Sequence, residues 1–406
     1  MMDFANTYRL YSTLPLSLGG NSHAEVDLQA LRENYSALAA TVRSRANHAR
    51  VIAVVKADAY GHGAEQCVRT LLREGCDSFA VSCIEEARGV REVCLLEGVH
   101  ADILIFGYTD PMYVGTLAAL SLTQSLFSFE YACALHEAAV QNGVRLSVHI
   151  AVDTGMNRVG FGAHSDDELE ESADQIQMIC GFPNFETRGL FTHFARADET
   201  AEEAVRMTDL QSMRYRDLLG RLKMRQVSIP FHHVCNSAAA ATRDADLFDG
   251  VRLGAHLYGI GGATSVRSLR PVMRFCTRIV HLHPLLAGES VGYGGRFLAK
   301  TNRTVAILPV GYADGLSRDC TGANLLLHTQ NGDCVAPIIG NICMDQCMVD
   351  VTGLLARVGD EVTVFGRAPC TAEVLAESAN TIDYEILCAL SARVPRVYLN
   401  TRDDKR

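Results

Sequence analysis

A chain of 406 residues, 48% of them apolar, is long enough for two or three domains that each bury a core, so a disordered tail protein is excluded. Its 37 Lys and Arg against 47 Asp and Glu leave a net charge of −10 without long runs of one sign, which removes the electrostatic footprint of a nucleic-acid binder. No stretch approaches the roughly eighteen apolar residues that a bilayer crossing needs, residues 1–20 alternate polar and apolar groups, and the fourteen cysteines are scattered through apolar runs, so a cytoplasmic chain with reduced thiols is expected.

Between residues 50 and 254 eight short apolar runs recur, at 51–55, 78–81, 102–106, 122–127, 146–152, 188–194, 231–235 and 251–253. All but the last lead into a segment with helical apolar spacing, for example 64–74, 85–97 and 130–142. Strand and helix alternate in eight units over about 200 residues, which predicts an α/β fold, a closed (β/α)8 TIM-like barrel occupying residues 20–267. From residue 268 the pattern changes to β-rich runs at 276–282, 304–308, 324–328, 335–339, 346–351 and 361–365, with turns at 330–333 and 358–360. A mostly β domain is therefore expected over 268–406, with residues 1–19 packed on it, a helix at 371–378 and another after Ile382.

In a parallel barrel, chemistry gathers where strands end. The first run leads directly into Lys56, an amine at the mouth that can form a Schiff base, although an isolated strand-end lysine usually snorkels to solvent. Asp153 with Arg158, His193, Asn236 with Ser237, and Arg252 with Gly254 stand at other strand ends. Singly, His193 reads as a satisfied strand-end histidine and Arg252 as an ion-pair member; their shared mouth carries the inference. Arg158 can clamp a carboxylate, while Ser237 and the amides near Gly254 and Ala255 can hold a phosphate, so the ligand should carry both charges. His149 reads more simply as packing within the barrel. No metal site is expected: no paired Cys-x-x-Cys or His-Glu-x-x-His occurs, Cys343 and Cys347 are four apart, and His232 and His233 face opposite ways. Gly259 to Gly262 opens no convincing crossover helix, which argues against a nicotinamide cofactor.

The segment Ala53-Val54-Val55-Lys56-Ala57-Asp58-Ala59-Tyr60-Gly61-His62-Gly63 resembles the pyridoxal-phosphate attachment signature of alanine racemases. The resemblance continues in order through residues 153–161, 189–195, 236–238, 251–254, 291–294, 309–315, 343–345 and 382–385, covering roughly 22–400. It implies a homodimer with shared active sites that interconverts L- and D-alanine for peptidoglycan, using pyridoxal 5'-phosphate as electron sink. Lys56 would hold the cofactor and act as one base, and Tyr293, reaching in from the partner subunit, as the other. Arg252 would face the pyridine nitrogen, with His193 orienting either it or the opposing tyrosine; Tyr60, Asn236, Ser237, Gly254, Ala255 and Tyr384 would complete the cofactor site. Arg158, Tyr312 and Met344 would receive the substrate, with Asp345 near the entrance. One position departs from the pattern: many members carry a carbamylated lysine that orients the arginine, and this chain has Ala151 there, so a small anion such as chloride, or another side chain, must orient Arg158. Racemisation of serine or of a broader set of amino acids, and a non-catalytic cofactor carrier, are the alternatives.

Overall fold

The computed structural model describes residues 21–261 and 269–401. The chain forms two compact units, one spanning Leu31–Ala59 and Gly63–Arg270, the other built from the described residues up to Ala30, Tyr60–His62 and the stretch from Pro271 onward. Among the described residues no helix is long and apolar enough to cross a membrane.

The first unit is an eight-stranded parallel barrel. Numbering strands along the chain after β1 (His23–Asp27), it comprises β2 (Arg50–Val54), β3 (Ser78–Val81), β4 (Asp102–Ile105), β5 (Thr123–Leu126), β6 (Leu146–Asp153), β8 (Phe185–Phe191), β9 (Phe231–His233) and β10 (Gly250–Leu253). Pairing of β5 with β6 and of β2 with β10 closes the ring, and β7 (Phe161–Gly162) adds a short rung to β6. Both strand faces are covered, so β3, β5 and β10 are buried along their whole length, including the polar Thr123, Gln124 and Ser125 of β5. Two of the helices between strands start where a serine satisfies an amide of the first turn. Ser128 Oγ accepts from Tyr131 N, and Ser165 Oγ accepts from Glu168 N ahead of three acidic residues.

The second unit contains a nine-stranded sheet and a two-stranded ribbon. The sheet uses β1, β11 (Met273–Arg278), β12 (His281–Leu285), β15 (Arg303–Leu308), β16 (Asn324–Thr329), β17 (Gly332–Ile339), β18 (Cys347–Asp350), β19 (Glu361–Phe365) and β20 (Arg396–Leu399); the ribbon pairs β13 (Ser290–Val291) with β14 (Phe297–Leu298). The expected turn at 330–333 is the hairpin joining β16 to β17, where Thr329 pairs with Gly332. The start expected for the barrel, residue 20, does not match the pairing: β1 runs antiparallel to β11 and parallel to β20, because Ala24 and Val26 alternate inward and are fully buried in that sheet. The boundary expected at 267/268 and the packing expected for residues 1–19 lie outside the described residues.

Candidate active site

The chain leaves β2 at Lys56 and enters a left-handed turn, with φ of 52°, 54°, 55° and 54° at Ala57, Asp58, Ala59 and Tyr60. Each such residue is strained by roughly 1–2 kcal/mol, and strain of this kind persists only where the surroundings enforce it. Here Ala59 N donates to Val55 O (2.9 Å), Gly63 N to Asp58 O (2.9 Å), Ala64 N to Asp58 Oδ1 (2.7 Å) and Ala57 N to Glu86 Oε1 (2.7 Å). Lys56 is thereby fixed, half-buried, at the C-terminal end of its strand.

Arg252 on β10 is 3% exposed. Its Nη1 donates to His233 Nδ1 (2.8 Å) and to the His233 carbonyl, and its Nη2 to the carbonyls of Thr192 (2.7 Å) and Val234 (3.0 Å) and to His193 Nδ1 (3.3 Å). The guanidinium also lies 5.4 Å over the Phe191 ring. Every acceptor is neutral, and burial beside Arg158 lowers the arginine to about 10. Nε makes no bond among the described residues. His193 is pushed down to about 3 by burial and by Arg252, Arg158 and Lys56, so these cations share one mouth around a neutral imidazole. Such a mouth suits an anionic ligand.

The loops holding Arg158 and His193 are tied down by the Asp153 carboxylate, by Gln211 and by Arg214, whose Nη1 donates to the Thr154 carbonyl (2.8 Å). Asp153 accepts from the amides of Gly155 (2.9 Å), Asn157 (3.0 Å) and Arg158 (3.1 Å). Buried Gln211, on the long helix Glu202–Met224, donates to the His193 carbonyl (3.0 Å) and accepts from Ala195 N (2.9 Å). The Arg158 side chain is exposed and has no side-chain partner among the described residues; Ala151, on β6, is buried. Asn236 caps Ser237–Thr242 by accepting from Ala239 N, and Ser237 Oγ accepts from Gly254 N (2.9 Å), joining the end of β9 to the start of the short turn Ala255–Tyr258.

The remaining candidates lie in the second unit. The rings of Tyr60 and Tyr384 are 5.9 Å apart, and burial beside Tyr384 raises the Tyr60 phenol. Tyr293 occupies a Gly-Tyr-Gly-Gly turn with φ of 69° at Gly292 and 75° at Gly294; Asn341 Nδ2 donates to its carbonyl (2.6 Å) and its side chain is exposed (75%). Tyr312 and Met344 are brought together by the bonds Tyr312 N to Cys343 O (3.1 Å) and Ala313 N to Met344 O (3.0 Å). A Cβ on Gly311 would stand 2.2 Å from Cys343 O, so only glycine permits this approach. Arg393 links Asp345 (2.7 Å) to buried Asp314 (2.7 Å). Nothing in the sequence pattern singled out Gln211, Asn341 or Arg393, and His233 entered only as a metal-ligand candidate set aside because it and His232 face opposite ways; its inward register on β9 was the available signal.

A closed barrel with a strand-end lysine in a cationic mouth, followed by a separate β unit, is the build of an enzyme whose chemistry sits at the C-terminal ends of its barrel strands. Residues 26–261 match the family model "Alanine racemase, N-terminal domain" and residues 272–398 "Alanine racemase, C-terminal domain". Alanine racemase 1 of Clostridium acetobutylicum is 38% identical over 384 residues, 93% of this chain and 95% of that one. The alanine racemase structure from Clostridium difficile superposes with a TM-score of 0.82 at 33% identity, covering 94% of this chain and 96% of that one. The one from D-cycloserine-producing Streptomyces lavendulae gives 0.83 at 30% identity, covering 95% and 98%. The chain belongs to the alanine racemase family.

Proposed function

We propose that this protein is a cytoplasmic homodimeric enzyme that interconverts L- and D-alanine with pyridoxal 5'-phosphate, supplying D-alanine for peptidoglycan. The observation that carries the reading is the mouth itself, where Lys56, Arg158 and Arg252 act on buried His193 and, among the described residues, Arg252 is bonded to neutral acceptors alone. That donor set fits a ligand with an aldehyde for the lysine and a phosphate for the neighbouring amides.

When bound, the cofactor supplies the electron sink that makes the substrate Cα–H acidic. Lys56 Nζ would hold the cofactor and move a proton on one face of the substrate Cα, and Tyr293 Oη, contributed by the partner subunit, would move one on the other. Arg252 would face the pyridine nitrogen with a guanidinium that keeps its own protons, which would restrain side reactions such as transamination. Ser237, Tyr60, Tyr384 and the amides of Gly254 and Ala255 would hold the phosphate, the Gly254 amide turning from its bond to Ser237 Oγ, with Asn236 fixing the Ser237 turn and His193 orienting Arg252. Arg158, Tyr312 and Met344 receive the substrate, and Asp345 lines the entrance.

A serine or broad-specificity racemase is the nearer alternative, since a small pocket rejects one added hydroxyl weakly. Comparison of kcat/KM for alanine and serine tests it, and a preference for serine overturns the assignment. A non-catalytic carrier is disfavoured by the second unit and its Tyr293. Tyr293→Phe should remove most racemisation while leaving visible cofactor absorbance intact, and borohydride should trap the cofactor on Lys56.

A further inference from the structure

Behind Arg252 the barrel interior holds a second imidazole that the proposed chemistry does not use. His149, on β6, places Nδ1 3.0 Å from His233 Nε2, and His233 Nδ1 in turn meets Arg252 Nη1 at 2.8 Å. Strand β8 lies between β6 and β9, and the space is made there by two local features. A bulge shifts the register so that Val148 opposes Thr187 but His149 opposes Gly189, skipping Arg188. A Cβ on Gly189 would stand 2.6–2.7 Å from three atoms of the His149 ring. The barrel is thus built to admit this ring, and Phe191, stacked on His233 with centroids 4.9 Å apart, closes the side of the pair.

The donor order along the chain is forced. A guanidinium only donates, so His233 Nδ1 must be the bare acceptor; His233 then carries its proton on Nε2, and His149 Nδ1 must accept it. We propose that His149 is a positioning residue: by accepting the Nε2 proton of His233 it holds His233 in the one tautomer that can receive Arg252, and so fixes the guanidinium plane at the mouth. Without it, the opposite tautomer would turn an N–H toward Arg252 Nη1, setting donor against donor. The consequence for turnover rests on the cofactor reading above; the tautomer does not.

Solid-state NMR of the full-length holoprotein labelled with ¹⁵N-histidine reads which ring nitrogen carries the proton, with the His233 signals assigned by His233→Asn. The parent should show His233 with bare Nδ1. In His149→Phe the two tautomers should mix, and kcat should fall about tenfold with KM for alanine little changed, as for loss of one buried hydrogen bond. His149→Gln, whose amide oxygen can take the Nε2 proton, should restore both the single tautomer and most of kcat. If His149→Phe does not fold, His149→Asn, too short to reach, replaces it. An unmixed His233 tautomer in the Phe or Asn variant overturns the proposal, as does a Gln variant that keeps the tautomer yet loses as much kcat as Phe. A holoprotein that racemises nothing would overturn the functional reading alone, because the tautomer is read without turnover.

Discussion

Arg252 is a buried cation for which the fold provides three carbonyls and two imidazoles but no carboxylate. Replacing it with Met would leave those acceptors buried and unmet, so Arg252→Met should lose about 3 kcal/mol in urea unfolding, beyond any loss of activity. Arg158 is the converse case, an exposed guanidinium without a side-chain partner among the described residues, and Ala151 cannot supply the missing anion. If chloride takes that place, exchanging chloride for a bulky organic anion at constant ionic strength should raise KM for alanine and leave kcat nearly unchanged; identical KM values in both salts would exclude the halide. Lys56, Arg158, His193 and Arg252 were legible because a parallel barrel gathers chemistry at strand ends. His233 and Gln211 were not: an inward-facing polar residue on a strand, or one glutamine on a long helix, looks like ordinary packing until its partners are known.

At the scale of elements, the left-handed turn after Lys56 and the bulge beside His149 are local distortions that aim side chains. Ala57 adopts φ 52° while exposed to solvent, so Ala57→Gly should remove backbone strain and raise stability by about 1 kcal/mol, measured on the cofactor-free chain by thermal unfolding. Gly189→Ala should act in the opposite sense, costing about 1–3 kcal/mol through overpacking against His149. Truncating the ring in the double variant His149→Ala/Gly189→Ala should recover part of that loss, since the two sites touch; strict additivity would show the clash is relieved elsewhere. Most of the eight barrel strands could be read from apolar runs because burial on both faces favours apolar residues; β5, Thr-Gln-Ser-Leu, is buried all the same, its Gln124 bonded to Thr109 and to the Gly107 carbonyl. Strand β1 could not be assigned in the same way: His23–Asp27 shows alternation, but its partners β11 and β20 lie near the other end of the chain, and nothing local records a long-range pairing.

At the scale of the molecule, a chain of net charge −10 concentrates positive charge at its barrel mouth and keeps the imidazoles there neutral. Burial, reinforced by Arg252, holds His149 and His193 down to about 3 and lowers His233 as well; Arg188 and Arg50 press on His149, partly opposed by Asp102. The unfolded chain carries the same imidazoles near 6.5. Below that value the unfolded state takes up protons that the folded barrel refuses, so stability is complete above about pH 7 and declines as pH falls. The slope reaches up to about 1.4 kcal/mol per pH unit for each histidine. Between pH 6.5 and 5 most carboxylates remain ionised in both states, which isolates the histidine contribution. Urea midpoints should therefore fall steadily across that window, and His149→Gln, which removes one of the suppressed groups, should flatten the decline by one histidine's share. A midpoint independent of pH between 7 and 5 would mean that the imidazoles take up protons in the folded barrel, and with a protonated His233 the acceptor that Arg252 requires could not exist.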